Sequence, residues 1–197
     1  MTGYRPRTDG GGSPATDLTA DRVAELADAY EDDEPFDLVE REHVQTLPPA
    51  FATGDIGRRD AEWVVQWYYR RGSVDDAERR AAEERFLDND YETMVAAIQE
   101  AADATALDER IDALTALTGV DVPIASAFLA YTHPGECVAI GEREWTALNE
   151  VGELDSAYPD DVTSDDYEKY LDAVQAVATR TDHDVWTVYR ALWRLGA

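Results

Sequence analysis

Residues 114–129, Leu-Thr-Ala-Leu-Thr-Gly-Val-Asp-Val-Pro-Ile-Ala-Ser-Ala-Phe-Leu, constrain the fold more than any other part of this chain. Leu114, Leu117 and Val120 recur at helical spacing, and Gly119 permits a backbone turn that a Cβ would obstruct. Pro123 suits the first turn of a following helix, where its missing N–H leaves no bond unmade. Ala125, Ser126 and Ala127 give that second helix a small-residue face on which another helix can pack closely. The spacing predicts helix, tight hairpin, helix.

The rest of the chain reads the same way. Leu18, Val23, Leu26 and Tyr30 form one apolar stripe, and Phe36, Leu38, Val39, Val44 and Leu47 form another, closed by Pro48 and Pro49. Trp63, Val64, Trp67 and Tyr68 share one helical face over residues 60–71, and Asp90 caps a helix carrying Met94, Val95 and Ile98. A short extended segment over residues 137–140 precedes a helix over 142–150. Tyr167, Tyr170, Leu171, Val174 and Val177 mark the next helix, and Val185, Val188, Tyr189, Leu192 and Trp193 the last. Strand patterns are almost absent, so the expected class is all-α. Residues 1–16, rich in Gly and Pro, read as a disordered N-terminal tail containing Arg5 and Arg7; residues 17–197 read as one helical domain.

The charge balance is extreme: 43 Asp plus Glu against 17 Lys plus Arg, a formal net charge of −26. Lys169 is the single lysine, and Asp outnumbers Glu by 25 to 18. Such a surface repels itself in dilute buffer and becomes tolerable where molar salt screens it. The composition resembles that of proteins from salt-loving archaea that hold concentrated KCl in the cytoplasm. A nucleic-acid mimic would also be acidic, but it would gather its charge on one face, whereas acids here occur in nearly every segment. Cys137 stands alone, which excludes an internal disulfide and a cysteine-built zinc site. No apolar run is long enough to span a membrane and no apolar leader follows Met1, so a soluble cytoplasmic protein is expected.

The hairpin positions Leu117, Gly119, Val120 and Ala125, followed by the apolar segment 137–140 and a further helix, resemble the helix-hairpin-helix DNA glycosylase superfamily, the endonuclease-III-like proteins. The likeness spans residues 114–148. It implies an all-α, two-lobed fold with a cleft, and double-stranded DNA as partner. It also implies a phosphate held by N–H groups at the hairpin, with Gly119, Val120 and Ala125 forming the binding turn. Three departures bear on chemistry. The second hairpin glycine is replaced by Asp121, whose carboxylate would stand near the phosphate. The nucleophilic lysine of bifunctional members has no counterpart, because Val122, Pro123 and Ile124 cannot form a Schiff base. Gly141 stands where the catalytic aspartate is expected. Glu142 is then the catalytic candidate, although one step along a helix turns a side chain by about 100 degrees; Glu144 is also near.

Trp63 and Trp67 read as core, whereas Tyr69 and Arg70 lie on another face, where they could reach an extruded base. Arg143 and Arg70 are the candidate ligand contacts. Residues 55–89 hold seven arginines against nine acids, a nearly neutral stretch in a strongly acidic chain. An anionic ligand could approach there, or Arg79, Arg80 and Arg85 could simply pair with acids along a helix. The residues Asp182, His183 and Asp184 read as a helix cap, and no metal or cofactor motif is present. The leading expectation is a DNA-associated protein recognising damaged or distorted duplexes, and, if an enzyme, a base-excision hydrolase without the standard aspartate and lysine. The alternative is a structural or interaction protein that keeps the fold without DNA binding, favoured if Asp121, Glu142 and Glu144 crowd the cleft.

Overall fold

A computed structural model describes residues 17–72 and 75–196; the expected tail over residues 1–16 lies outside the described residues. Every regular element among the described residues is an α-helix. In chain order they are α1 (Ala20–Asp33), α2 (Asp37–Thr53), α3 (Arg58–Arg71), α4 (Asp76–Leu87) and α5 (Tyr91–Asp103). There follow α6 (Leu107–Thr115), α7 (Val122–Thr132), α8 (Glu142–Glu150), α9 (Ser164–Thr181) and α10 (Val185–Leu195). No described helix is long and apolar enough to cross a membrane.

Side-chain caps set many of the starts. Thr19, Asp75, Asp90, Asp121, Thr163 and Asp184 each accept a hydrogen bond from a backbone N–H in the first turn of the helix they precede. Asp184 thus acts as the expected cap, while Asp182 ends α9 in the left-handed region at φ 58°. The reading of α2 needs correction, because the helix runs through Pro48 and Pro49 to a left-handed Gly54. Leu47 and Phe51, one turn apart on either side of the prolines, are both buried. Packing of that face holds the helix together where two intrahelical N–H donors are missing.

The helix packing has a simple logic. α7 is apolar on all sides and buries every residue from Ile124 to Tyr131, so it must lie in the middle. It packs against α2, α3, α5, α6 and α9, and α3 in turn carries α4. A second group forms where α1 lies along α10, which also packs on α8 and α9. The first and last helices of the described chain are therefore neighbours.

The hairpin between α6 and α7 turns at Gly119, with φ at +77°. A Cβ there would lie 3.0 Å from Cβ of Arg85 and 3.1 Å from the backbone N of Phe86, so the turn is seated on the last turn of α4. Asn89 clamps it: its Oδ1 accepts from Thr118 N at 2.9 Å, and its Nδ2 donates to Thr118 O and Phe86 O at 2.9 and 2.8 Å. Replacing Asn89 with Ala removes all three bonds at once. Asn89→Ala is expected to lower stability by about 1–3 kcal/mol in urea unfolding followed in molar KCl; an unchanged midpoint would show that the clamp is dispensable.

Candidate functional site

Residues 137–140 are buried and belong to no helix or strand; apart from the Cys137 N–H, which donates to His133 O at 2.9 Å, side chains satisfy much of their backbone. Three tyrosine hydroxyls donate to three successive carbonyls: Tyr167 to Val138 at 3.0 Å, Tyr170 to Ala139 at 3.1 Å and Tyr68 to Ile140 at 3.2 Å. The N–H of Ile140 donates to Oγ of Ser126 at 3.0 Å. Burial pushes these three phenols well above their usual range, which keeps each one a donor. Burial also pushes the neighbouring Cys137 thiol up to about 11, leaving it protonated and unreactive.

The fixed segment delivers Gly141 as the residue preceding α8, and Glu144 folds back over it. A Cβ at position 141 would lie 2.5 Å from Oε2 of Glu144, so glycine leaves room for that carboxylate at the helix start. Glu144 is buried, and burial raises its pKa above the ordinary glutamate range, with Arg71 pulling the other way.

Arg71, the last residue of α3, lies opposite. Its side chain is 5% exposed, and Nη1 donates to Oε1 of Glu40 at 2.9 Å. Glu40 is fully buried and also accepts from Tyr30 Oη at 2.8 Å and Trp67 Nε1 at 2.7 Å. The guanidinium carbon sits 4.6 Å from the Tyr189 ring, 4.9 Å from Trp67, and 5.4 Å from both Tyr30 and Trp193. This aromatic enclosure suits a delocalised cation. Nη2 lies 3.7 Å from Oε1 of Glu144, and neither Nη2 nor Nε has a hydrogen-bond partner.

Arg71 and Glu144 face a pocket of about 590 Å³ between α3, the start of α8 and α10. Trp67, Tyr68, Tyr158 and Tyr189 supply its aromatic wall. Glu142, the expected catalytic residue, also lines it but is solvent-exposed, two residues before the inward-pointing Glu144. Arg143 lines the pocket too, stacked on Trp193 at 3.5 Å, and burial lowers its pKa.

The other expected site residues are dispersed. Arg70 is exposed on the far side of α3 and outside the pocket lining. Tyr69 is half-buried, edge-on to Tyr68 at 5.5 Å, and feels the charges of Asp121 and Arg85. Val120 and Ala125 are buried, Gly119 is seated on α4, and Asp121 caps α7 by accepting from Ile124 N at 3.0 Å. The carboxylate of Asp121 thus occupies the end of α7 where a phosphate was expected. Tyr68 and Tyr158 of the pocket wall both feel the charges of Asp121 in the hairpin and Glu144 in the pocket. Among the described residues no cluster of His, Cys, Asp and Glu could hold a metal ion.

Glu40, Tyr158 and Tyr189 join the site without a motif to announce them, and Arg71, from the aromatic and arginine cluster of α3, takes the inward position rather than Arg70. A signal existed for Glu40 and Arg71: Glu40 lies seven residues before Leu47 and Arg71 seven after Val64, so each charge falls on an apolar stripe. Compared with protein families, with curated proteins and with solved structures, the chain matches none.

Removing Arg71 leaves the Glu40 charge buried and uncompensated. Arg71→Met is expected to destabilise the protein by roughly 3–5 kcal/mol, and adding Glu40→Gln should recover much of that loss. Urea unfolding of the single and double variants measures both, and a double variant no better than the single would contradict a charge-based cost. Glu144 makes a pH-dependent contribution of opposite sign to a stabilising ion pair. Its folded-state pKa is raised, so its burial opposes folding above the ordinary carboxylate range and ceases to do so below it, where both states are protonated. Glu144→Gln is therefore expected to gain stability relative to the parent as pH rises from about 4 to about 7; a difference that does not vary with pH would contradict this.

Proposed function

We propose that this chain is a DNA-associated protein on a two-lobed, glycosylase-like helical scaffold, and that Glu144 rather than Glu142 is the carboxylate its pocket presents. The observation that carries the reading is the position of that carboxylate. Oε2 of Glu144 occupies the space in which a side chain at 141 would begin, where the resemblance expects an aspartate. A buried carboxylate with a raised pKa at the floor of a cleft can exchange a proton with a bound group or, when ionised, stabilise positive charge on a sugar. The pocket lies between the two groups of helices, close to the hairpin, and its volume and aromatic wall suit a base extruded from a damaged or distorted duplex.

A second reading, an interaction protein that keeps the scaffold without binding DNA, is favoured by Asp121. Its carboxylate caps α7, and the Gly119 turn is pressed against α4, so the hairpin offers a phosphate little room. Anisotropy of labelled duplexes separates the two. In molar KCl the Debye length falls to about 3 Å, which suppresses binding driven by charge alone. Tighter binding to a duplex carrying an abasic analogue than to the intact duplex is the expected result. Base release from lesion-bearing duplexes, if present, is expected to disappear in Glu144→Gln. Absence of binding to either duplex would overturn the DNA reading and leave the second.

A further inference from the structure

We propose that Arg71 and Glu144 form a ligand-reading pair, and that the pocket accepts a planar lactam, a ring carrying an N–H beside a carbonyl, as in hypoxanthine or uracil. This rests on the reading above only for the source of the ring, a base extruded from DNA rather than a free nucleoside.

The unused hydrogen-bonding capacity of Arg71, beside the buried carboxylate of Glu144, points to such a ligand. Arg71 spends Nη1 on Glu40 and leaves Nη2 and Nε without partners, although buried polar groups are normally satisfied. The Glu144 carboxylate accepts no hydrogen bond from another described residue, and its nearest cation is Nη2 at 3.7 Å, too far for a hydrogen bond. Each partner is held by other contacts: Glu40 and four aromatic rings fix the guanidinium, while Glu144 is folded over Gly141. Two opposite charges therefore stand side by side at the pocket floor without closing on each other.

The charge signs select the ligand. A cationic group would meet Arg71 and an anionic one would meet Glu144. A neutral group satisfies both when it donates to the carboxylate and accepts from the guanidinium, and a lactam does so from adjacent atoms in one plane. Amidine edges, as in adenine, offer the same order of groups, but their N–H is less acidic and a ring nitrogen is a weaker acceptor than a carbonyl. Charge-assisted hydrogen bonds reward the more polarised partner. Tyr68 and Tyr158 supply aromatic surface beside the pair for a ring to pack on.

The test is titration of the full-length chain in molar KCl with inosine, uridine, adenosine and 1-methylinosine, followed by saturation-transfer NMR. Inosine and uridine are expected to bind, with adenosine and 1-methylinosine weaker by on the order of tenfold or more, because the pair is then left unmatched. Equal binding of inosine and 1-methylinosine would overturn the proposal, as would undiminished inosine binding by a folded Glu144→Ala variant. A parallel titration with the abasic duplex separates the two claims. Duplex binding without nucleoside binding overturns the lactam site and leaves the DNA reading. Nucleoside binding without duplex binding overturns the DNA reading and leaves a pocket for free nucleosides.

Discussion

A single carboxylate taken out of water organises this molecule. Glu40 is fully buried, and such a charge survives only if it is compensated and hydrogen-bonded. Glu40 stands on α2 and its partners come from two other helices, Tyr30 on α1 and Trp67 and Arg71 on α3. Once Arg71 is drawn inward, it requires its own surroundings, and α10 provides them with Tyr189 and Trp193. Buried ion pairs add little net stability compared with well-packed apolar groups. What Glu40 contributes is position: it ties the group of helices around α7 to the group around α10, and the pocket opens along that junction.

The acidic surplus has local uses as well as a global cost. Asp75, Asp90, Asp121 and Asp184 each begin a helix, where a carboxylate accepts orphan N–H groups and meets the positive end of the helix dipole. Part of the aspartate content is therefore architectural at any salt concentration. Arginines do much of the balancing: Arg41 pairs with Asp37 at 2.9 Å, Arg79 with Glu83 at 2.7 Å, and Arg194 with Asp33 at 2.9 Å. The stretch of arginines in α4 thus partly follows the pairing expected along a helix rather than forming an open basic patch.

Much of the helical architecture was legible from residue spacing, because α5 and α10 carry local start signals and regular apolar stripes. α2 was not, since the rule that prolines end helices is local and the packing of Leu47 and Phe51 that overrides it is not. The site was legible only in outline. The buried non-helical segment and the helix after it lie where they were expected, yet the inward carboxylate is Glu144, because the helical phase after Gly141 turns Glu142 outward. Arg71 and Glu40 fell on apolar stripes, but their pairing joins positions 31 residues apart, which periodicity within one helix cannot reveal.

The tyrosine-bonded segment before α8 has a consequence for how the molecule comes into being. Its three hydroxyl donors reach it from 72, 29 and 31 residues away, on both sides in the chain. Contacts of such span close late, after the entropy of long loops has been overcome. Residues 137–140 cannot be set until α3 and α9 have both docked, and only then does Gly141 stand where Glu144 can fold over it. The pocket floor thus depends on contacts from both sides of the chain, so a chain whose assembly is incomplete presents no site at all.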